Sequence, residues 1–263
     1  MTGPGRKAES MDSRNNSKGS IAVVGIGPGM ESMMTQQALQ ALDDADVIVG
    51  YTVYLELLGD SFAGKEFLST PMKQETERCR LAFAEAAKGK KAAMVCSGDA
   101  GIYGMASLMF EIREELGEDA ADVEIEVIPG ITAASSGAAV LGAPLNHDFC
   151  VISLSDLLTP WELIEKRLRA AAEGDFAIAI YNPSSKKRHD YLQKACDILL
   201  ETLEPGRACG YVRSIGRDGE EFRTCDLAEL RNTEVDMFTT VFIGNSQSRI
   251  MDGRLITPRG YKL

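Results

Sequence analysis

The sequence predicts an α/β protein made of two consecutive α/β halves with a ligand cleft between them. Three observations carry that expectation. Short apolar runs alternate with longer amphipathic stretches along most of the chain. Several runs end in glycine-rich turns, the layout of loops at the carboxyl edge of a parallel sheet, where open sheets place their ligands. The alternation then restarts after a break at Gly142-Ala143-Pro144-Leu145-Asn146-His147. The expected division is 20–143 and 144–263, with the polar segment 1–19 read as disordered.

In the first half, residues 21–27 form an apolar run ending in glycine, the pattern of a buried parallel strand. A helix starts near Thr35, with Ala38, Leu39, Ala41 and Leu42 on one face, and a strand follows at 46–50. A helical stretch at 54–58, a short strand at 66–68 and an alanine-rich helix at 74–87 lead to a strand at 90–95. A helix at 105–116 and a strand at 123–128 come next, and Thr132 is placed to begin a helix at 133–141. The second half opens with a strand at 149–153, a helix at 161–172 and a strand at 176–181. The loop from Asn182 to Arg188 introduces a helix at 189–203. Strands at 208–213 and 238–243 enclose a short helix at 227–230, and turn signals at 216–219 suggest a hairpin, so this sheet is expected to be mixed.

Composition excludes several function classes. Lys+Arg 28 against Asp+Glu 39 gives a net charge of −11, the wrong sign for a nucleic-acid binder, whose phosphate contacts need a basic face. No apolar run approaches the roughly 20 residues that span a bilayer, and residues 1–20 hold neither a secretory signal nor an anchor. The 6 cysteines are widely spaced with no Cys-x-x-Cys pair, which reads as reduced, mostly buried thiols in a cytoplasmic protein. No ligand set has zinc or iron–sulfur spacing, so no metal site is expected. With 2 histidines and no Gly-x-Ser-x-Gly, a hydrolytic triad is also disfavoured.

The glycine-rich turns are Gly25-Ile26-Gly27-Pro28-Gly29, the stretch from Cys96 to Gly104, and Pro129-Gly130-Ile131-Thr132. The first fails the dinucleotide fingerprint, because Met30 stands where its third glycine belongs and Pro28 removes an amide donor. That counts against a nicotinamide-dependent oxidoreductase. In the second, Asp99 is the only charge. A single tight turn is ordinarily just a turn; three at one sheet edge predict a pocket. The pocket is expected to be apolar and neutral, lined by backbone groups and Asp99, and suited to an adenosine with a sulfonium side chain rather than to a phosphorylated nucleotide. Cations cluster at Lys73, Arg78 and Arg80, at Lys186-Lys187-Arg188, and at Arg213 and Arg217. Each cluster can equally be a solvated face. Lys186 to Arg188 are expected in a first helical turn, where dipole and side chains would together favour an anion.

Four motifs identify a resemblance. Val24-Gly-Ile-Gly-Pro-Gly29, Ser97-Gly-Asp-Ala-Gly-Ile-Tyr-Gly104, Pro129-Gly-Ile-Thr-Ala-Ala134 and Tyr181-Asn-Pro-Ser-Ser185 occur in this order in the tetrapyrrole (corrin/porphyrin) methylases, which the chain resembles over about residues 20–260. Gln74-Glu-Thr-Glu-Arg-Cys-Arg80, the loop 182–188, Asn245-Ser-Gln-Ser248 and Ile256-Thr-Pro-Arg-Gly-Tyr261 resemble its precorrin-3B C(17)-methyltransferase branch. The resemblance implies a class III methyltransferase fold, S-adenosyl-L-methionine (product S-adenosyl-L-homocysteine) in the cleft, and a homodimer. It implies methylation of a precorrin-3 macrocycle at carbon 17 with ring contraction to precorrin-4, or of the cobalt form, in cobalamin biosynthesis. Carried over by motif, cofactor contacts fall on Pro28, Ser97, Gly98, Asp99, Ile102, Thr132, Ala133, Tyr181 and Asn182. Ala100 stands where many members have proline. A polycarboxylate ring gives the cations a role, with Arg78, Lys186, Lys187, Arg188 and Arg213 as candidate contacts. Ring contraction needs proton transfers, for which His147, Tyr103 and Lys73 are candidates. A sister methylase acting at another ring carbon and a non-catalytic adenosine-binding module are the alternatives.

Overall fold

The computed structural model describes residues 19–262, so the expected disorder of 1–19 lies, apart from Gly19, outside the described residues. The first half contains β1 (Ser20–Gly25), α1 (Gln36–Asp44), β2 (Val47–Tyr51), α2 (Thr52–Glu56), β3 (Glu66–Thr70), α3 (Glu75–Ala86), β4 (Lys91–Cys96), α4 (Ala106–Leu116) and β5 (Glu124–Ile128). Its five strands form one parallel sheet in the order β3-β2-β4-β1-β5. Alternate residues of each inner strand point to opposite faces, and both faces are covered. Val23, Val49 and Met94 pack against Cys79, Phe83 and Met109 of α3 and α4. Their neighbours Val24, Ile48 and Val95 pack against Ala38, Leu42 and Phe62. Two-sided burial is why these strands read as unbroken apolar runs. Thr35 caps α1, its hydroxyl accepting from the Ala38 amide at 3.0 Å.

The chain then crosses to a second sheet through α5 (Ala133–Leu141) and β6 (Gly142–Ala143). It continues as β7 (Phe149–Ser153), α6 (Trp161–Glu173), β8 (Ala177–Tyr181), α7 (Tyr191–Leu199), β9 (Ala208–Arg213), β10 (Glu221–Asp226), α8 (Leu227–Leu230), β11 (Thr239–Ile243), β12 (Arg249–Met251) and β13 (Arg254–Ile256). The order is β10-β9-β11-β8-β7, with β7 and β8 parallel and the other pairs antiparallel, so the sheet is mixed as its turn signals predict. Ile178, Ile180 and Val241 face α6 and α7. On the other side, Ala179, Val212 and Phe242 pack on Ala134, Ala138 and Leu141 of α5. The helix that leaves the first sheet thus covers the second.

Two details differ from the sequence reading. The helix expected at 189–203 is α7, Tyr191–Leu199, and Lys186 to Arg188 precede it. Reciprocal backbone bonds between Ser185 and Arg188, at 3.3 and 2.9 Å, close a tight turn that holds the cations outside the helix. A small third sheet, β12-β13-β6, has no counterpart among the elements the sequence pattern predicts. Its strands are too short to show a period, and β13 finds β6 more than a hundred residues away in sequence.

Candidate active site

Strands β4, β1 and β5 are neighbours, so the three glycine loops leave the sheet side by side. Their backbones interlock. Gly27 and Gly98 exchange amide-to-carbonyl bonds at 3.0 and 2.7 Å. Gly98 has φ +70°, a region L side chains rarely occupy. A Cβ on Gly130 would lie 2.1 Å from the Gly98 carbonyl oxygen, so this approach requires glycine. Asp99 staples the loops. Its Oδ1 accepts from the Gly101 amide at 2.8 Å and its Oδ2 from the Gly130 amide at 3.0 Å. Both carboxylate oxygens therefore have protein partners, and the single charge of the loop acts first on the loop itself.

The second sheet supplies the opposite wall. Tyr181, at the end of β8, reaches the start of α5, where its Oη lies 2.5 Å from Thr132 Oγ1 and accepts from the Ala134 amide at 2.6 Å. Thr132 holds the capping position expected of it, but its hydroxyl binds the tyrosine instead of a helix amide. Burial pushes the Tyr181 phenol above its usual range, with the bonds to Thr132 and Ala134 opposing. Asn182 follows in the left-handed region with φ 53°, its amide donating to Ser153 Oγ at 2.9 Å. Tyr103 and Ser214, at φ 54° and 52°, share that conformation. All three line the cavity, and such strain concentrates at functional sites.

One cavity between the sheets is lined by all nine motif residues: Pro28, Ser97, Gly98, Asp99, Ile102, Thr132, Ala133, Tyr181 and Asn182. It also takes in Tyr54, Ser214, Ile215, Arg217 and the run from Met237 to Thr240. The expectation of a neutral wall is corrected by Arg217. Its Nε donates to the Pro28 carbonyl at 2.9 Å and its Nη2 to Ser97 Oγ at 3.0 Å, while the guanidinium carbon sits 5.8 Å from the Phe238 ring centre. Burial lowers its pKa. These partners are 189 and 120 residues away, a distance at which spacing carries no signal.

The candidate substrate cations are arranged differently from expectation, and none of the five lines this cavity. Arg78 is 4% exposed, donating to the carbonyls of Thr70 and Pro71 at 3.4 and 3.1 Å and lying over the Tyr51 ring. Both carbonyl bonds come from Nη2 and the aromatic face lies under the charge, while the buried Nε has no hydrogen-bond partner. Arg188 turns to Ser155 at 2.9 Å and Asp156 at 3.3 Å, and Arg213 pairs with Asp236 at 2.9 Å. Lys186 and Lys187 are exposed. Among the candidate acid–base groups, Tyr103 lines the cavity and donates to the Val151 carbonyl at 3.1 Å, with burial raising its pKa. His147 sits on an exposed loop beside Asp148, and Lys73 is exposed at φ 70°; neither lines the cavity. Cys96 is a buried residue whose thiol is pushed up to about 11 by burial, which leaves it unreactive.

Residues 20–231 match the model of the family described as Tetrapyrrole (Corrin/Porphyrin) Methylases. The chain is 46% identical over 243 residues to the probable cobalt-factor III C(17)-methyltransferase of Salmonella typhimurium, covering 92% of this chain and 100% of that one. It is also 46% identical over 246 residues to the cobalt-factor III methyltransferase of Priestia megaterium, with 93% of this chain covered. There it spans about half the relative's length, 46%. The crystal structure of the methyltransferase CobJ matches with a TM-score of 0.85 at 40% identity, over 91% of this chain and 100% of that chain.

Proposed function

The chain belongs to the tetrapyrrole (corrin/porphyrin) methylases, and we propose that it methylates carbon 17 of a precorrin-3-level macrocycle, with ring contraction, during cobalamin biosynthesis. The observation that carries this reading is the convergence of nine motif residues from two sheets on a single cavity. The names of relatives at 46% identity favour the cobalt form of the substrate.

The cavity wall fits S-adenosyl-L-methionine. It offers glycine backbone and the hydroxyls of Ser97, Thr132 and Thr240, with one carboxylate and one guanidinium and, among the described residues, no lysine. Such a wall suits an uncharged nucleoside with a zwitterionic tail better than a polyphosphate. When bound, the cofactor supplies an electrophilic methyl group on its sulfonium. What remains for the chain is to hold that group and the ring carbon in line, and alignment alone lowers a barrier by roughly 7–11 kcal/mol. Pro28, Ser97, Gly98, Asp99, Ile102, Thr132 and Ala133 form the first-sheet side of the holder, with Tyr181 and Asn182 facing them. The interlocked loops pre-organise it, and the scarcity of histidines follows.

Tyr103 is the proton-handling group in this reading. Of the three candidates it alone lines the cavity, and burial moves its phenol further above neutral pH. Lys186 and Lys187, exposed in the turn beyond Asn182, receive carboxylates of the ring. The working form is a cytoplasmic homodimer; the free thiols support the compartment. Calorimetry with S-adenosylhomocysteine and with NAD tests the cofactor class. The thioether binds and NAD does not; tight NAD binding with no thioether binding overturns the methylase reading.

A further inference from the structure

Arg217 makes a demand the protein does not meet. It is half-buried in the cavity wall, and among the described residues it forms no ion pair. Three other arginines have carboxylate partners, Arg188 with Asp156, Arg213 with Asp236 and Arg207 with Glu204, while Arg78, served by two carbonyls, lies outside the cavity. The partners of Arg217 are a backbone carbonyl and a hydroxyl, both uncharged. A charge withdrawn from water and left without a counter-charge is costly, and the cost falls when an anion is brought to it. Asp99, the carboxylate of the same wall, already has both oxygens on the Gly101 and Gly130 amides.

The side chain is held as a receptor must be. Nε and Nη2 are anchored on Pro28 and Ser97, which fixes the guanidinium plane, and a guanidinium carries more donors than these contacts use. The turn that carries it is seated just as closely. A Cβ on Gly29 would meet the Gly216 carbonyl oxygen at 2.6 Å, and the Gly216 amide donates to Glu220 at 2.8 Å. The Phe238 ring lies beside the guanidinium, within cation–π range.

We infer that Arg217 is the carboxylate receptor of the cavity, its fixed guanidinium pairing with a carboxylate of the bound ligand. This rests on the methylase reading above, in which two carboxylate sources meet: the amino-acid end of the cofactor and the acid side chains of the macrocycle. A planar fork suits either, and its replacement by lysine is not conservative.

The test uses the full-length chain and its Arg217→Gln and Arg217→Lys variants. Calorimetry measures S-adenosylhomocysteine against 5′-methylthioadenosine, which keeps the nucleoside and sulfur but lacks the amino-acid carboxylate. Steady-state kinetics with cobalt-factor III measures the macrocycle. If the cofactor supplies the carboxylate, R217Q weakens S-adenosylhomocysteine about tenfold or more and leaves 5′-methylthioadenosine within about twofold, with R217K in between. If the macrocycle supplies it, both thioethers bind as in the parent chain while KM for the macrocycle rises about tenfold and kcat holds. Equal weakening of both thioethers reports a strut that only holds the walls together, and overturns the assignment. No change in any of the three measurements overturns it too. A parent chain that binds neither thioether overturns the cofactor reading itself, and the assignment with it.

Discussion

Tyr181 Oη lies 2.5 Å from Thr132 Oγ1, a bond between the last residue of β8 and the residue that opens α5. The same oxygen accepts from the Ala134 amide at 2.6 Å. One phenol thus satisfies an orphan amide at a helix start and ties the glycine loops to the second sheet. Tyr181→Phe removes both contacts while keeping the ring. It is expected to cost about 1 kcal/mol, which lowers Tm by about 2–4 °C for a chain of this size. It also weakens S-adenosylhomocysteine binding several-fold, because the two walls lose their fixed spacing. Thermal unfolding and calorimetry on the same preparation check both parts.

Gly130→Ala tests the interlocked loops. The added Cβ would be 2.1 Å from the Gly98 carbonyl oxygen, so one loop must move away from the other. S-adenosylhomocysteine affinity is expected to fall at least about tenfold, as reacting and binding groups displaced by an ångström lose that much. Gly64→Ala is the control, since nothing lies within 4 Å of its Cβ position. It should leave binding unchanged and stability within about 0.5 kcal/mol.

Asp99 separates the two oxygens of a single staple. Asp99→Ala frees the Gly101 and Gly130 amides and is expected to weaken thioether binding about tenfold with the fold intact. Asp99→Asn keeps one acceptor and turns an N–H toward the other amide, so its affinity falls between the two. Circular dichroism confirms folding, and calorimetry reads the order. Unchanged affinity in Asp99→Ala removes the residue from the site.

Much of this architecture is legible in the chain. The runs at Val23-Val24 and Met94-Val95 announce buried parallel strands because both sheet faces are covered. The loops ending at Gly29, Gly104 and Thr132 can be read as companions because each follows such a run. What the sequence hides is contact over long separations. Arg217 reaches Pro28 across 189 residues, and its neighbour Arg213, indistinguishable from it by composition, spends its charge on Asp236 outside the cavity. Arg78 looks like part of a solvated basic face, yet the carbonyls of Thr70 and Pro71 bury it. Lys186 to Arg188 were expected in a helix, and a two-bond turn at Ser185 keeps them out.

Acid sensitivity has a specific source in the second half. Arg207, with a side chain 7% exposed, donates to Glu204 at 2.7 and 2.8 Å and to Asp175 at 3.3 Å. The bond from Arg207 holds the Glu204 carboxyl below its usual range. A carboxyl with a depressed folded pKa stabilises the fold above its unfolded value of about 4.3, and that stabilisation is lost as pH falls through the lower folded value. Arg207→Met should therefore destabilise by about 1–3 kcal/mol at pH 7, with the deficit shrinking below about pH 4. Urea unfolding of both proteins across that range checks the sign. A deficit that grows in acid would contradict it.

The central claim is methyl transfer to a corrin precursor at the cavity between the sheets, and isotope transfer measures it directly. The purified chain is incubated with S-adenosylmethionine carrying a 13C methyl group and with the trimethylated macrocycle, in cobalt-bound and cobalt-free forms. One labelled methyl is expected on carbon 17 by NMR, with the cobalt-bound form turned over faster. Labelled S-adenosylmethionine recovered intact beside both macrocycles, from a chain that binds S-adenosylhomocysteine, would contradict it.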